Sequence, residues 1–121
     1  PATVVTTVAP AGHPDHDALA LNLRRLKGAT DAAGRALTIH ELPVPEPVTT
    51  DDGEPLPAGH ANFLIANEVV LVPTYGGPSD AVALETLASC FPDRRVVGID
   101  HRDLIWGFGG IHCLSMQIPQ G

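Results

Sequence analysis

Thr3, Val4, Val5, Thr6, Thr7 and Val8 are all β-branched, the pattern of a buried strand, and Pro10-Ala11-Gly12 breaks it. Leu19, Leu23 and Leu26 then recur at the i, i+4, i+7 spacing of one helical face, so a helix is expected to open on the acids around residues 13–17 and to end near residues 28–34. Residues 36–42 read as a second strand. Pro43, Pro45, Pro47, Pro55 and Pro57, with Asp51, Asp52, Gly53 and Glu54 among them, make an irregular acidic loop. Phe63, Leu64 and Ile65 lead into a hairpin turn at Ala66-Asn67-Glu68, and Val69, Val70, Leu71 and Val72 lead out. A helix is expected over residues 80–91, with Leu84, Leu87, Ala88 and Phe91 on one face, Ser79 or Asp80 as its cap and Pro92 as its stop. Residues 95–99 read as a strand, 103–106 as a turn or brief helix, and 111–118 as a last strand after Gly107-Phe108-Gly109-Gly110. Helices alternating with strands predict an α/β or α+β layered fold, with two loosely alike halves of strand, helix and strand.

Composition narrows the class. With 44% hydrophobic and 17% charged residues in 121, the chain is expected to fold as one domain. Fourteen acids against seven Lys and Arg give a net charge of −7, which repels phosphate backbones and favours cationic ligands, so nucleic-acid binding is not expected. The apolar runs are far shorter than the ~20 residues of a membrane span. Two cysteines make no disulfide framework and nothing resembles a signal peptide, so a reducing cytoplasm is expected. The start at Pro1, without an initiator Met, hints at trimming or at a piece of a longer protein.

Cys113 follows the glycine run, where backbone can approach a ligand closely, and is the first candidate for chemistry. Cys90, beside Phe91 in a helix, reads as the ordinary buried thiol. His112 neighbours Cys113, but adjacent side chains on a strand point to opposite faces; it is a poor base for Cys113 and is expected to hydrogen-bond the glycine loop or a neighbouring element. His13, Asp15, His16 and Asp17 look like a metal or acid/base cluster by residue type, yet acids are expected at a helix mouth anyway.

The runs Ala61-Asn62-Phe63, Val72-Pro73, Tyr75-Gly76-Gly77-Pro78-Ser79-Asp80, the stretch from Phe91 to Asp100, and Leu104-Ile105-Trp106-Gly107-Phe108-Gly109-Gly110-Ile111-His112-Cys113 together resemble the agmatine deiminases and bacterial peptidyl-arginine deiminases. The match is dense from about His60 onward and looser before. The resemblance implies a pentein fold, five ββαβ-type modules around a central site, of which this chain would hold about two: a partial module over residues 1–45, the acidic Pro-rich loop over 46–60, and a C-terminal module with Cys113 over 61–121. It implies that Cys113 attacks a guanidinium carbon, that ammonia leaves, and that water cleaves the thiouronium intermediate; agmatine, arginine and peptidyl-arginine all remain open as the cationic substrate. A thiolate suits this chemistry because a guanidinium is a poor electrophile. Beside Cys113, the resemblance carries over Asn62, Asp80, Gly109 and Gly110 as lining or supporting residues; His112 joins them as a supporting residue through its expected hydrogen bonds, and no cofactor or metal is expected. Phe108 stands where the family usually has glycine.

The family's acid/base histidine, followed two residues later by an acid, and its substrate-binding carboxylates lie upstream of the part that matches. His13-Pro14-Asp15 copies that spacing at the wrong place in the fold. The chain is therefore expected to be the C-terminal part of a guanidine hydrolase, dependent on missing N-terminal modules and close to inactive alone. The competing expectation is a non-catalytic pentein-type module that binds or self-associates. Modules cut from a closed ring expose apolar edges, so a homo-oligomer is expected on either reading.

Overall fold

A computed structural model describes residues 2–119. Pro1, and the Gln120 and Gly121 that end the expected C-terminal module, lie outside the described residues. The elements run β1 (Thr3–Val8), α1 (His16–Lys27), β2 (Thr38–Pro43), β3 (Leu64–Ile65), β4 (Val69–Thr74), α2 (Ser79–Cys90), β5 (Arg95–Asp100) and a short 3-10 helix at Leu104–Gly107.

The alternation expected from the sequence becomes two sheets. In the first, β1 pairs with β2 in parallel, from Thr3 against Thr38 to Val8 against Pro43, and α1 makes the crossover that a parallel pair requires. In the second, β3 and β4 form the hairpin, closed by the Ala66 N–H on Val69 O at 2.8 Å. Strand β4 then pairs in parallel with β5 through α2, from Val69 against Arg95 to Thr74 against Asp100. Each half is thus a βαβ unit, the second widened by β3.

The halves meet in a shared core. Leu42 of β2 is fully buried in a core with Val70 and Val72 of β4 and Ala83 and Leu87 of α2, and Val5, Phe63, Leu84, Phe91 and Val96 pack around it. On α2 the buried line is Ser79, Ala83 and Leu87, one turn apart each; Leu84 and Phe91 are half-buried, and Ala88 is exposed rather than on the core face. Helix α1 buries no residue fully, and its Leu19, Leu23 and Leu26 are half-buried.

A second cluster joins Leu56, Tyr75 and Ile105, with Val48 and Ala58 against it. The Pro-rich loop is therefore packed as well as acidic: Thr49 and Pro55 form a bridge, Gly53 turns the chain at φ 84°, and the acids stay exposed at the tip while Leu56 goes inside.

The strand expected over residues 111–118 is not formed. Its amides are already engaged: Ile111 N–H on the His101 ring, His112 N–H on Asn62 O, Cys113 N–H on the Asn62 side chain, Leu114 N–H on Gly110 O and Ser115 N–H on His112 O. Successive turns replace a ladder over residues 111–115, because the amides there are not left to pair with β5 or β3.

Candidate active site

Cys113 is exposed and is held by one residue, Asn62. The Asn62 Nδ2 amide donates to Cys113 Sγ at 3.1 Å, and Asn62 Oδ1 accepts the Cys113 N–H at 3.3 Å. Asn62 sits at the entrance to β3, in a turn closed by its own N–H on Gly59 O at 3.4 Å. Gly59 is in turn fixed by its N–H on the Tyr75 hydroxyl at 3.0 Å, and Tyr75 is buried.

Gly110 is a steric requirement and Gly109 a tight fit. A Cβ on Gly110 would lie 2.8 Å from Asn62 Cγ, and one on Gly109 would lie 3.1 Å from Cys113 Cβ. Only a bare backbone brings the loop this close to Asn62. Phe108, at the end of the 3-10 helix, takes the left-handed conformation at φ 58°, which favours glycine, and its ring is exposed.

The Asn62 amide, and after it the backbone of Gly110, lower the Cys113 thiol from its ordinary value of 9.0, against a smaller upward push from desolvation. Thiolate is the nucleophilic form of cysteine, so an exposed thiol lowered in this way is suited to attack an electrophile. Among the described residues no histidine ring or carboxylate hydrogen-bonds to Cys113, and none form a group able to hold a metal ion.

The other expected residues sit differently. Asp80 does not cap α2 with its side chain: Pro78 occupies the cap position, and the Asp80 carboxylate reaches back to the Tyr75 N–H at 3.0 and 3.1 Å and the Gly76 N–H at 2.7 Å. It shapes the loop that fixes Tyr75 and makes no bond to Asn62 or Cys113. His112 is exposed and lies in a turn, so the argument from opposite strand faces fails; its backbone makes the contacts, the N–H on Asn62 O at 3.4 Å and the carbonyl accepting from Ser115.

His13, Asp15 and His16 form a helix-entry turn in which His13 Nδ1 accepts the Asp15 N–H at 3.1 Å and His16 Nδ1 meets Ala9 O at 2.8 Å. Cys90 is half-buried and lines an apolar groove of about 460 Å³ with Thr3, Val5, Ala61, Phe63, Ile65 and Phe91.

Two histidines escaped the sequence reading, and both are fully buried. His60 places Nδ1 against Pro73 O at 2.9 Å and Nε2 against Ser79 Oγ at 3.1 Å, with an Asp80 oxygen at 3.9 Å from Nε2. The Ser79 hydroxyl donates to Glu46 at 2.7 Å, and this bond, the first cause, lowers the Glu46 carboxyl. His101 places Nδ1 against Ile99 O at 2.8 Å and accepts the Ile111 N–H on Nε2 at 3.0 Å. The dipeptide Asp100-His101 at the end of an expected strand was the available signal. It could not be read as a site because the partner is a backbone amide ten residues on.

Comparison with known proteins identifies the family and the fold. The family model of the Porphyromonas-type peptidyl-arginine deiminases matches residues 1–119. A Lactococcus lactis protein provisionally assigned as an agmatine deiminase is 37% identical over 113 aligned positions, covering 80% of this chain and 31% of that protein. A crystal structure of a Porphyromonas gingivalis protein, provisionally assigned as an arginine deiminase, superposes with a TM-score of 0.89 at 39% identity, over 98% of this chain and 35% of that one. The agmatine deiminase of Enterococcus faecalis superposes with a TM-score of 0.84 at 32% identity, over 93% and 35%. The chain spans about a third of the length of the relatives it matches, and the fold they share with it is the pentein fold. It belongs to the Porphyromonas-type peptidyl-arginine deiminase family.

Proposed function

We propose that this chain carries the nucleophile segment of an agmatine deiminase-like guanidine hydrolase. The supporting observation is the pairing of Cys113 with Asn62 under a glycine loop that only a bare backbone can form. Cys113 thiolate adds to the guanidinium carbon. The tetrahedral adduct expels ammonia, which takes one proton as it leaves, and a thiouronium remains on the sulfur. Water then adds to the same carbon, the carbon–sulfur bond breaks, and a urea-type product departs with the thiolate restored.

Asn62 stabilises the thiolate and fixes the loop, Gly109 and Gly110 permit the approach, and Asp80 and His112 support it from the Tyr75 loop and the following turn. Proton transfer to the leaving ammonia and the clamp on the cationic guanidinium need a histidine and carboxylates. Cys113 has no such partner among the described residues, so these groups are assigned to modules corresponding to the remaining two thirds of the relatives. The two βαβ units, residues 1–45 and 61–121 joined by the loop over 46–60, are read as a partial and a whole pentein-type module. The substrate is a small guanidinium compound, agmatine first and arginine or peptidyl-arginine next, and the compartment a reducing cytoplasm.

Ammonia release from agmatine tests the reading, first with the 121-residue chain and then with the remaining modules of a relative added. Release that requires both parts and is abolished by Cys113→Ser supports it. Release from the chain alone would mean that it assembles its own acid/base, and no release after complementation would leave the hydrolase reading without support. A second reading, a self-associating module without catalysis, draws on the apolar side chains exposed around the same loop: Phe108, Leu114, Met116 and Ile118. Oligomers that form without gain of activity on complementation would favour it.

A further inference from the structure

Every polar group of His101 joins a different part of the second unit. Its N–H donates to Thr74 O at the end of β4 at 2.8 Å, and its carbonyl accepts the Ile105 N–H at the start of the 3-10 helix at 2.8 Å. Ring Nδ1 meets Ile99 O of β5 at 2.8 Å, and ring Nε2 accepts the Ile111 N–H at 3.0 Å. The side chain is fully buried, with Tyr75 edge-on to its ring at 6.4 Å.

A carbonyl only accepts and an amide N–H only donates, so one form of the ring serves both bonds: a neutral imidazole with its proton on Nδ1. The other neutral tautomer would set a lone pair against Ile99 O and an N–H against the Ile111 N–H. The doubly protonated ring would also face donor to donor at Ile111.

The Cys113 loop therefore hangs from two anchors. His101 ties Ile111 to the end of β5, while Asn62 takes the His112 and Cys113 amides and the thiol. Only with both in place is the loop fixed in two directions, so that Sγ stays on the Asn62 amide. We propose that His101 is a positioning residue for Cys113, acting through the Ile111 amide as its neutral Nδ1–H tautomer. As a role in catalysis this rests on Cys113 being the nucleophile; as a statement about the loop it needs no substrate.

The experiment follows Cys113 alkylation by iodoacetamide across pH in the full 121-residue chain, with Cys90 replaced by Ala so that one thiol reports. His101→Gln brings a carbonyl oxygen within reach of the Ile111 N–H and should keep the wild-type profile. His101→Asn retains a donor for Ile99 O but is too short for Ile111, and its profile should shift to higher pH with alkylation near neutrality slowed about tenfold. In the unaltered chain, long-range proton–nitrogen correlation on the His101 ring should show Nδ1 protonated and Nε2 bare, whether or not the variants fold.

The proposal is overturned by a proton on Nε2, by wild-type alkylation in His101→Asn, or by equal slowing in Gln and Asn, which would make the ring a packing element only. Because alkylation uses no guanidinium, an ammonia assay that fails even after complementation, beside this pattern, would leave the hydrolase reading without support and the tether standing.

Discussion

Asn62 and Cys113 grip each other at both ends, amide N–H to sulfur at 3.1 Å and backbone N–H to amide oxygen at 3.3 Å. The first bond favours the thiolate and is the leading reason the thiol is lowered from its ordinary value. Asn62→Ala should therefore move the alkylation profile of Cys113 to higher pH and slow the reaction near neutrality roughly three- to tenfold. Asn62→Asp should slow it further, since a neighbouring carboxylate opposes a second negative charge. An unchanged profile in both variants would remove Asn62 from the account.

Gly110→Ala should reproduce the Asn62→Ala profile without touching Asn62, because the added Cβ falls 2.8 Å from Asn62 Cγ. Either the side chain or the loop must shift, at a cost of about 1–3 kcal/mol. Gly107→Ala is the control, since its Cβ would meet nothing within 4 Å. Thermal unfolding and Cys113 alkylation, measured on both variants, separate the steric effect from a general loss of loop flexibility.

The Arg102 guanidinium pairs with Asp100 and lowers its carboxyl from 3.8 to about 2. A carboxyl lowered on folding stabilises the folded state above its unfolded value and loses that contribution as pH falls through its folded value. Asp100→Asn should thus lower the melting temperature at pH 6, with the difference from wild type shrinking as pH falls below about 4 and vanishing only below about 2. The pair is exposed, so the effect at pH 6 should be small, roughly 2 to 4 °C, and should fade in high salt. A difference that grew toward acid pH would contradict the assignment.

Leu42 is the buried side chain that β2 contributes to the core of the other half. Leu42→Ala should cost about 2–5 kcal/mol in urea unfolding. It should also separate the loss of the β1–β2 unit from that of the second unit, visible as non-coincident transitions by different probes. A single transition with an unchanged midpoint would mean the halves are coupled elsewhere.

Most of the elements were legible because their signals are periodic and local. The β-branched run at Thr3–Val8 became β1, the turn at Ala66-Asn67-Glu68 closed the hairpin, and Pro92 stopped α2. Residues 111–118 show the limit. Their sequence suits a strand, but a strand needs free amides and a partner, and bonds to His101 and Asn62 take the amides of residues 111–113 while local turns take those of Leu114 and Ser115. Asp80 shows a second limit: an acid at a helix start reads as a cap, whereas this one folds back onto the loop before the helix. Within the candidate site, Cys113 was singled out by the glycine run before it, and Asn62 and the glycines by the resemblance; the structure brings these residues together. Both ring nitrogens of His101 and one of His60 meet backbone groups, and a backbone partner leaves no mark in residue types.

The two anchors of the Cys113 loop differ greatly in their reach along the chain. His101 closes on Ile111 across 10 residues, while Asn62 closes on Cys113 across 51. Loop closure costs more entropy the longer the loop, and contacts between distant residues are the slow ones in folding. The local tether is thus expected to form early and the distant clasp late. A refolding chain should pass through a stage in which sheets and helices are built while the sulfur still reacts as an ordinary cysteine. Pulsed alkylation during refolding would register that stage as a lag between secondary structure and thiol character, making Cys113 a clock for the last step of assembly.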